Sequence, residues 1–558
     1  MPEPFSLAGR AWLPVASKTG QRRLVRLCEI SQPDVARLDT GRPDTDTALA
    51  EFLIGLLAVT IGPNNKSEWL DLYRSPPTPE HLKAAFAPFA EALVLDGDGP
   101  RFFQDLDELS GNETPVEALF IDAPADHFML DRRYQILSRT GAAIALLTLQ
   151  TMAPSGGAGH RTSLRGGGPL TTFVVPRAQP NLWQFLWANV PDGLKASADA
   201  AALIFPWLGP TRTSNPKEKG EITTPAHVNA AQAFFGMPRR IRLTFEDNNE
   251  RRLCDLLGEL AEPDDRIVRT YVTRPWGGNY PSNTWRHPLT PYYKQKKADT
   301  EMLPLHLKSA RVGYRHWLGL VSATDDGLTN AAVAVAHFRK DRARSIREEK
   351  DHVRLKAAGY ALDNMKPLEF AEALLPLFAA DEKTNTELDK HARGMIDAAD
   401  VAAWQLSGAI RLALYGEKAK VDSGSTVLSS VASEFWSETE EPFFARLEAL
   451  SNVVLNAIKA DSLADGRADI TATHAPLWLR VLKRTALGIF DATAPIGDSD
   501  PERLADVING RKQLSLMFKG HGKNGRALFT ALGLALPSPT SGGGADKPRN
   551  HEIRSAKP

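Results

Sequence analysis

The chain has 558 residues, too many for one hydrophobic core, so at least two domains are expected. Lys+Arg and Asp+Glu balance at 67 each, so any contact with a polyanion has to come from local basic patches and not from net charge. The two cysteines, Cys28 and Cys254, exclude a disulfide framework and an all-cysteine zinc site, and they fit a reducing, cytoplasmic compartment.

The amino end has no basic region followed by an apolar core, so no signal peptide is expected. No apolar run reaches the roughly 18 residues that a membrane helix needs, so no membrane contact is expected. Residues 6–31 alternate polar and apolar and predict two strands joined by a Lys18-Thr19-Gly20 turn. Leu49, Phe52, Leu53, Leu56, Leu57 and Ile61 form a helical stripe over about 47–61, and a second helix is expected over 79–92. Phe102 and Phe103 before Gln104 read as a plug in the core. In residues 119–135, His127 lies near Asp122 and Asp126, but no second His or Cys stands at ligand spacing, so a solvated or structural histidine is the better reading. Residues 136–152 read as an apolar helix.

The stretch 153–174 is the most unusual. Gly156, Gly157, Gly159, Gly166, Gly167 and Gly168 flank Arg161 and Arg165, and a β-branched strand follows. Glycine lets another molecule approach the backbone, so either a long surface loop or a cradle for a polyanion is implied. The pattern lacks Gly-x-Gly-x-x-Gly after a strand and lacks a P-loop ending, which argues against nucleotide-driven chemistry.

Residues 209–223 are polar and read as an exposed loop. In 266–297, basic residues including Arg269, Arg274, Lys294 and Lys296 alternate with aromatics around Gly277-Gly278-Asn279. That suits phosphate contact with base stacking, although from spacing alone a strand pair with charged outer faces is the better reading. The run from Phe338 to Lys356 holds eight basic and four acidic residues on a helical pattern, either a solvated face or a nucleic-acid face. After Gly359-Tyr360, Asp363-Asn364 predicts a tight turn with Met365 at its tip. Met365 either touches a partner or packs onto the helical region that Pro367 opens. Helical patterns then dominate: 367–380, 385–415, 427–459, 474–492, 501–517 and 522–533. Residues 537–558 read as a disordered tail. The chain is therefore expected to be α+β, with a mixed α/β domain over 1–366 and a C-terminal four-helix bundle over 367–536.

Three of these stretches, in order, resemble the CasA family, the large subunit of Cascade, the RNA-guided surveillance complex of type I-E CRISPR systems. They are the glycine stretch with its Ser-Leu-Arg-Gly-Gly and Thr-Thr-Phe-Val, the Trp285-Arg-His-Pro-Leu-Thr-Pro291 element, and Gly359-Tyr360 with Asn364. A Pro-Phe-x-Gln turn near Gln104 is similar too, and the likeness runs over roughly 5–535. The resemblance implies recognition of the protospacer-adjacent motif (PAM) in double-stranded DNA from the minor groove. It places the glycine loop (Gly156, Gly157, Ala158 and Gly159, with Arg161 and Arg165) at the DNA. It implies a basic finger at Arg269 or Arg274 near Asn279, and a wedge at Asn364, Met365 and Lys366, where the best-known relative has glutamine in place of Met365. It puts His127, Phe128, Arg132 and Arg133 on a loop that contacts the guide RNA end or incoming DNA. Some family members carry a zinc cluster near residue 254; with Cys254 alone, no zinc and no cofactor are expected. The implied partners are the other Cascade subunits, the crRNA, target DNA and a helicase-nuclease. The rival readings are a metal-dependent nuclease, whose one candidate site is Asp122, Asp126 and His127, and a scaffolding subunit without DNA contact.

Overall fold

The computed structural model describes residues 4–122, 133–157, 159–261, 264–296, 300–307, 311–323, 328–346, 353–417, 425–461, 463–498 and 501–537. Asp126, His127, Phe128, Arg132, Ala158 and the expected disordered tail beyond residue 537 lie outside them.

The expected first hairpin forms from β1 (Leu13–Ser17) and β2 (Arg22–Val25), and β3 (Val35–Leu38) pairs with the other edge of β1. Helix α1 (Pro43–Ile61) starts earlier than its apolar stripe, because Pro43 supplies a first-turn residue with φ already set. The helix is buried on nearly all sides, which suits its near-continuous apolar composition. Helix α2 (Pro79–Phe86) is capped by the Thr78 side chain, and α3 (Arg139–Met152) by Ser138. Trp12, Phe52, Phe102, Phe103, Trp207 and Phe235 meet edge to face or tilted beside α1. Gln104 is fully buried and fully used: its amide donates to the Leu95 carbonyl (2.9 Å) and its oxygen accepts the Leu243 N–H (3.0 Å). The expected plug is thus a plug with a polar pin.

Strand β4 (Thr171–Val175) follows the glycine stretch. Strands β5 (Arg240–Asp247) and β6 (Arg266–Arg274) form a long antiparallel pair, extended by the short strands Glu113–Pro115 and Leu137–Ser138 on β6. Strands β7 (Arg354–Asp363) and β8 (Lys366–Pro376) make a hairpin, and the sheet order is β8-β7-β4.

Two sequence expectations fail here. Residues 367–380 were expected to be helical, but β8 occupies most of them, and the first long helix starts at Glu382. Pairing with β7 along its whole length outweighs a local pattern that suits either element. Its prolines sit at Pro367 and Pro376, near the ends of an edge strand, where a missing N–H is tolerated. The charged run from Phe338 is not one helix either. A π-turn over Phe338–Arg342 leads to a short helix, Ala343–Ile346, and Arg354 and Lys356 belong to β7.

The chain divides into two compact units. One comprises the residues up to Lys390 together with Leu447–Lys459; the other comprises His391–Arg446 and the described residues from Ala460 on. The C-terminal helices are α4 (Glu382–Tyr415), α5 (Thr426–Lys459), α6 (Leu463–Thr493), α7 (Leu504–Met517) and α8 (Gly522–Ala531). Within the second unit the Trp478 indole donates to the Met395 carbonyl (2.9 Å), tying α6 to α4, and Phe443 of α5 packs edge-on against Trp478. The mixed sheet-and-helix class with a C-terminal helical region is as expected. Among the described residues, no single helix is long and apolar enough to cross a membrane.

Candidate nucleic-acid interface

Helix α3 stops at Met152 because Pro154 follows, and proline cannot supply the next helical N–H. The chain then closes on itself. Gly168 N–H donates to the Met152 carbonyl (3.2 Å) and Ser163 N–H to the Ala153 carbonyl (2.9 Å), so the neck of the loop is pinned between α3 and β4. Its tip at residues 155–157 is exposed.

Gly157 and Gly159 have φ of 66° and 86°, the left-handed region that glycine enters at no steric cost. A side chain on Gly157 would meet nothing within 4 Å, whereas a Cβ on Gly159 would lie 2.8 Å from the Trp276 indole. Trp276 itself has φ of 67°, rare for a bulky residue, and its N–H donates to the Gly159 carbonyl (2.9 Å). Arg161 lies over that indole, 5.2 Å from the ring centroid, and donates through Nε to Ser214 Oγ (2.9 Å).

Arg165, expected at the DNA, is instead buried at 2% exposure. Its guanidinium donates to Glu51 (2.6 Å), to Thr171 Oγ1 (3.1 Å) and to Thr290 Oγ1 (2.8 Å), and Thr171 also donates to Glu51. It clamps the end of the glycine loop to α1 and has no reach to solvent. His287 completes the cluster, with Nε2 3.6 Å from Glu51. Burial, and then Arg165, hold the imidazole well below its usual pKa, so it is neutral. The 285–291 element is thus mostly scaffold: Trp285 is buried and donates to the Thr223 carbonyl (3.0 Å).

Asp363 and Lys366 face each other across the β7–β8 hairpin, so Asn364 and Met365 form a two-residue loop, with φ of 47° and 66°. That is a type I′ turn, which asparagine tolerates and methionine does not favour. Met365 is 45% exposed. Its sulfur stands 2.9 Å from where a Cβ of Gly167 would be, and Leu362 Cδ1 3.0 Å from where that of Gly168 would be. The fold thus brings the hairpin tip onto the glycine loop.

Arg274, at the end of β6, is exposed, donates to Ser110 Oγ (3.3 Å) and lines an open cavity of about 560 Å³ with Lys217, Asp107, Glu108 and Trp276. Trp276 joins this cavity to the glycine loop. Arg269 stands in mid-strand and pairs with Glu246 of β5 (3.3 Å). Asn279 is half-buried, and its carbonyl accepts the Thr223 N–H (2.8 Å). Arg133 donates its backbone N–H to Glu117 (2.7 Å) and lays its guanidinium over Tyr134.

The charged run loses two of its arginines to the core. Arg339 makes a bidentate pair with Asp389 (2.6 and 2.7 Å), and Arg342 binds Asp192 (2.5 Å) over the Trp69 ring. A network that the sequence pattern did not reveal links the hairpin to α1. Tyr360 donates to Asp44 (2.5 Å), and Arg42 binds both Asp44 (2.8 Å) and Asp122 (2.9 Å). Asp122 is therefore committed to a guanidinium. Among the described residues, no group of three His, Cys, Asp or Glu is placed to hold a metal ion.

Solved structures of CRISPR-associated proteins share this fold. CasA (Cse1) of Thermus thermophilus matches with a TM-score of 0.67 at 17% identity, over 92% of this chain and 100% of that one. Cse1 of Acidimicrobium ferrooxidans matches at 0.63 and 20% identity, over 96% and 99%. Cse1 of Thermobifida fusca matches at 0.65 and 17% identity, over 95% and 98%. The family model described as CRISPR-associated protein Cse1 matches residues 7–489, and the chain belongs to that family. Membership supports a large subunit of a type I-E CRISPR Cascade complex, with the other Cascade subunits as partners.

Proposed function

We propose that the surface formed by the glycine loop and the β7–β8 hairpin reads the PAM of double-stranded DNA from the minor groove and starts strand separation beside it, so that the crRNA can pair with the target strand. The chain does this as a non-enzymatic subunit, and the opened DNA passes to a helicase-nuclease. The observation that carries the reading is the meeting of two segments far apart in sequence, Met365 over Gly167 and Leu362 over Gly168. An exposed backbone cradle and a projecting apolar tip then act on one stretch of duplex. Arg161 and Arg274 supply positive charge beside them, and Lys366 a phosphate contact at the tip. An unbranched, polarizable methionine is suited to sliding against base faces. Unstacking a step costs a few kcal/mol, which the surrounding contacts offset. The minor groove offers a degenerate code, so several related PAMs are tolerated.

The test is Met365→Ala with Lys366→Ala in the assembled complex. Affinity for a fully paired, PAM-bearing target falls, while affinity for a target pre-melted beside the PAM recovers. Equal loss on both would show that these residues hold the fold or the PAM and do not separate strands.

A further inference from the structure

Six arginines are buried to below a tenth exposure among the described residues: Arg42, Arg139, Arg165, Arg239, Arg339 and Arg342. Five have a carboxylate within hydrogen-bond reach: Asp44, Asp264, Glu51, Asp389 and Asp192, at 2.5–2.8 Å. Arg239 has none. No Asp or Glu among the described residues pairs with it, and its Nε makes no hydrogen bond. A buried charge is normally compensated, because taking it out of water without a partner is strongly unfavourable.

The place of this cation in the fold gives its deficit a meaning. Gln150 of α3 grips the Arg239 backbone on both sides, accepting its N–H (3.0 Å) and donating to its carbonyl (2.9 Å). The side chain then runs beneath the glycine loop. Nη2 donates to the Pro154 carbonyl, and Nη1 lies 2.7 Å from where a Cβ of Gly156 would be. The guanidinium therefore packs against the bare backbone of exposed Gly156, beside the His160 side chain. The neighbouring groups do not neutralise it. Burial pushes the Tyr271 phenol up to about 12, and His160 is shifted below its usual value by burial and by Arg239 itself. Burial lowers Arg239 to about 10, so it keeps its proton at neutral pH.

We propose that Arg239 is the buried half of an anion site, and that a phosphodiester of the target DNA, seated on Gly156 and Gly157, supplies the missing charge. The inference rests on the reading of the glycine loop as a DNA contact and deepens it. One backbone phosphate is fixed over the loop, without regard to sequence, and so sets the register in which the hairpin tip meets the groove. Arg161, half-buried on Trp276, flanks the same loop.

The test compares Arg239→Met and Arg239→Lys in the complex assembled with its guide RNA. Duplex binding is measured across a salt series, with the PAM present and with it replaced, alongside the melting temperature of the full chain. The Met variant weakens both duplexes by the same factor, about tenfold, and flattens the salt slope by about one. The Lys variant keeps the slope, and the melting temperature of the Met variant does not fall. Unchanged binding by the Met variant overturns the proposal. So does an equal loss in both variants, or a shared fall in melting temperature, since the arginine would then serve only loop geometry. Impaired incorporation into the guide-RNA complex with intact duplex binding also overturns it, because the phosphate would belong to RNA. If the Met variant is silent while the Met365/Lys366 double variant still separates paired from pre-melted targets, only the role of Arg239 fails. If the complex does not favour the PAM-bearing duplex at all, the underlying reading of the loop fails.

Discussion

At Gly157 and Gly159 one residue type serves two ends. Gly157 needs its left-handed φ but faces open space, whereas Gly159 also makes room for the Trp276 indole. Asparagine tolerates left-handed backbone, so Gly157→Asn should leave the melting temperature nearly unchanged while placing a side chain at the proposed DNA contact. Target affinity of the complex should fall, and unchanged affinity would remove the loop tip from the interface. Gly159→Ala should instead destabilise the chain itself, by about 1–3 kcal/mol of backbone strain plus the clash with Trp276. The arginines divide in the same way. Glu51→Gln strands Arg165 in the core and should cost about 3–5 kcal/mol, read by chemical denaturation. Removing Glu246 from the partly exposed Arg269 should cost about 0–1 kcal/mol. If the two variants denature alike, the division of these arginines into core and surface is wrong.

Among the elements, the β7–β8 hairpin is the one on whose register the proposed function depends. Its turn was legible, because Asp363-Asn364 favours left-handed backbone and a tight reversal. Its second strand was not, because Leu374, Leu375 and Leu377 suit a helix as well as a strand. Pairing with β7, which no local pattern encodes, decided between them. The start of α1 holds a pH-sensitive group. Asp46 accepts the Thr40 N–H (2.8 Å), and burial pushes its carboxyl up to about 6. The native state therefore holds this proton more tightly than the unfolded chain, whose carboxyl stays near its ordinary 3.8. Stability contributed here falls as the pH rises from about 4 to about 6, and the cost is complete at neutral pH. Asp46→Asn keeps an acceptor for Thr40 and removes the charge. It should raise the melting temperature at pH 7–8, by an effect of about 1–3 kcal/mol, and leave it unaltered near pH 4. A gain that is the same at both pH values would show that ionisation is not the cause.

For the whole molecule, a net charge of zero conceals an uneven use of charge. Many arginines are spent on holding the fold, so a count of basic residues overstates the surface that can meet DNA. Periodicity and turn chemistry determined what is local: the long C-terminal helices, the first hairpin, the tight turn at Asn364 and the glycine loop leading into a strand. Short ordered motifs sufficed for the family, because the residues that carry them are contiguous in sequence. Tertiary structure alone decided which of those residues face outward. Arg161 and Arg165 are four positions apart in one loop, yet one stacks on Trp276 near the surface while the other is buried on Glu51. It also decided that Arg239 lies under Gly156 with no carboxylate beside it. The reason is that the free energy of a charge depends on what the rest of the chain places around it. Those neighbours come from distant segments, and no window of local sequence contains them.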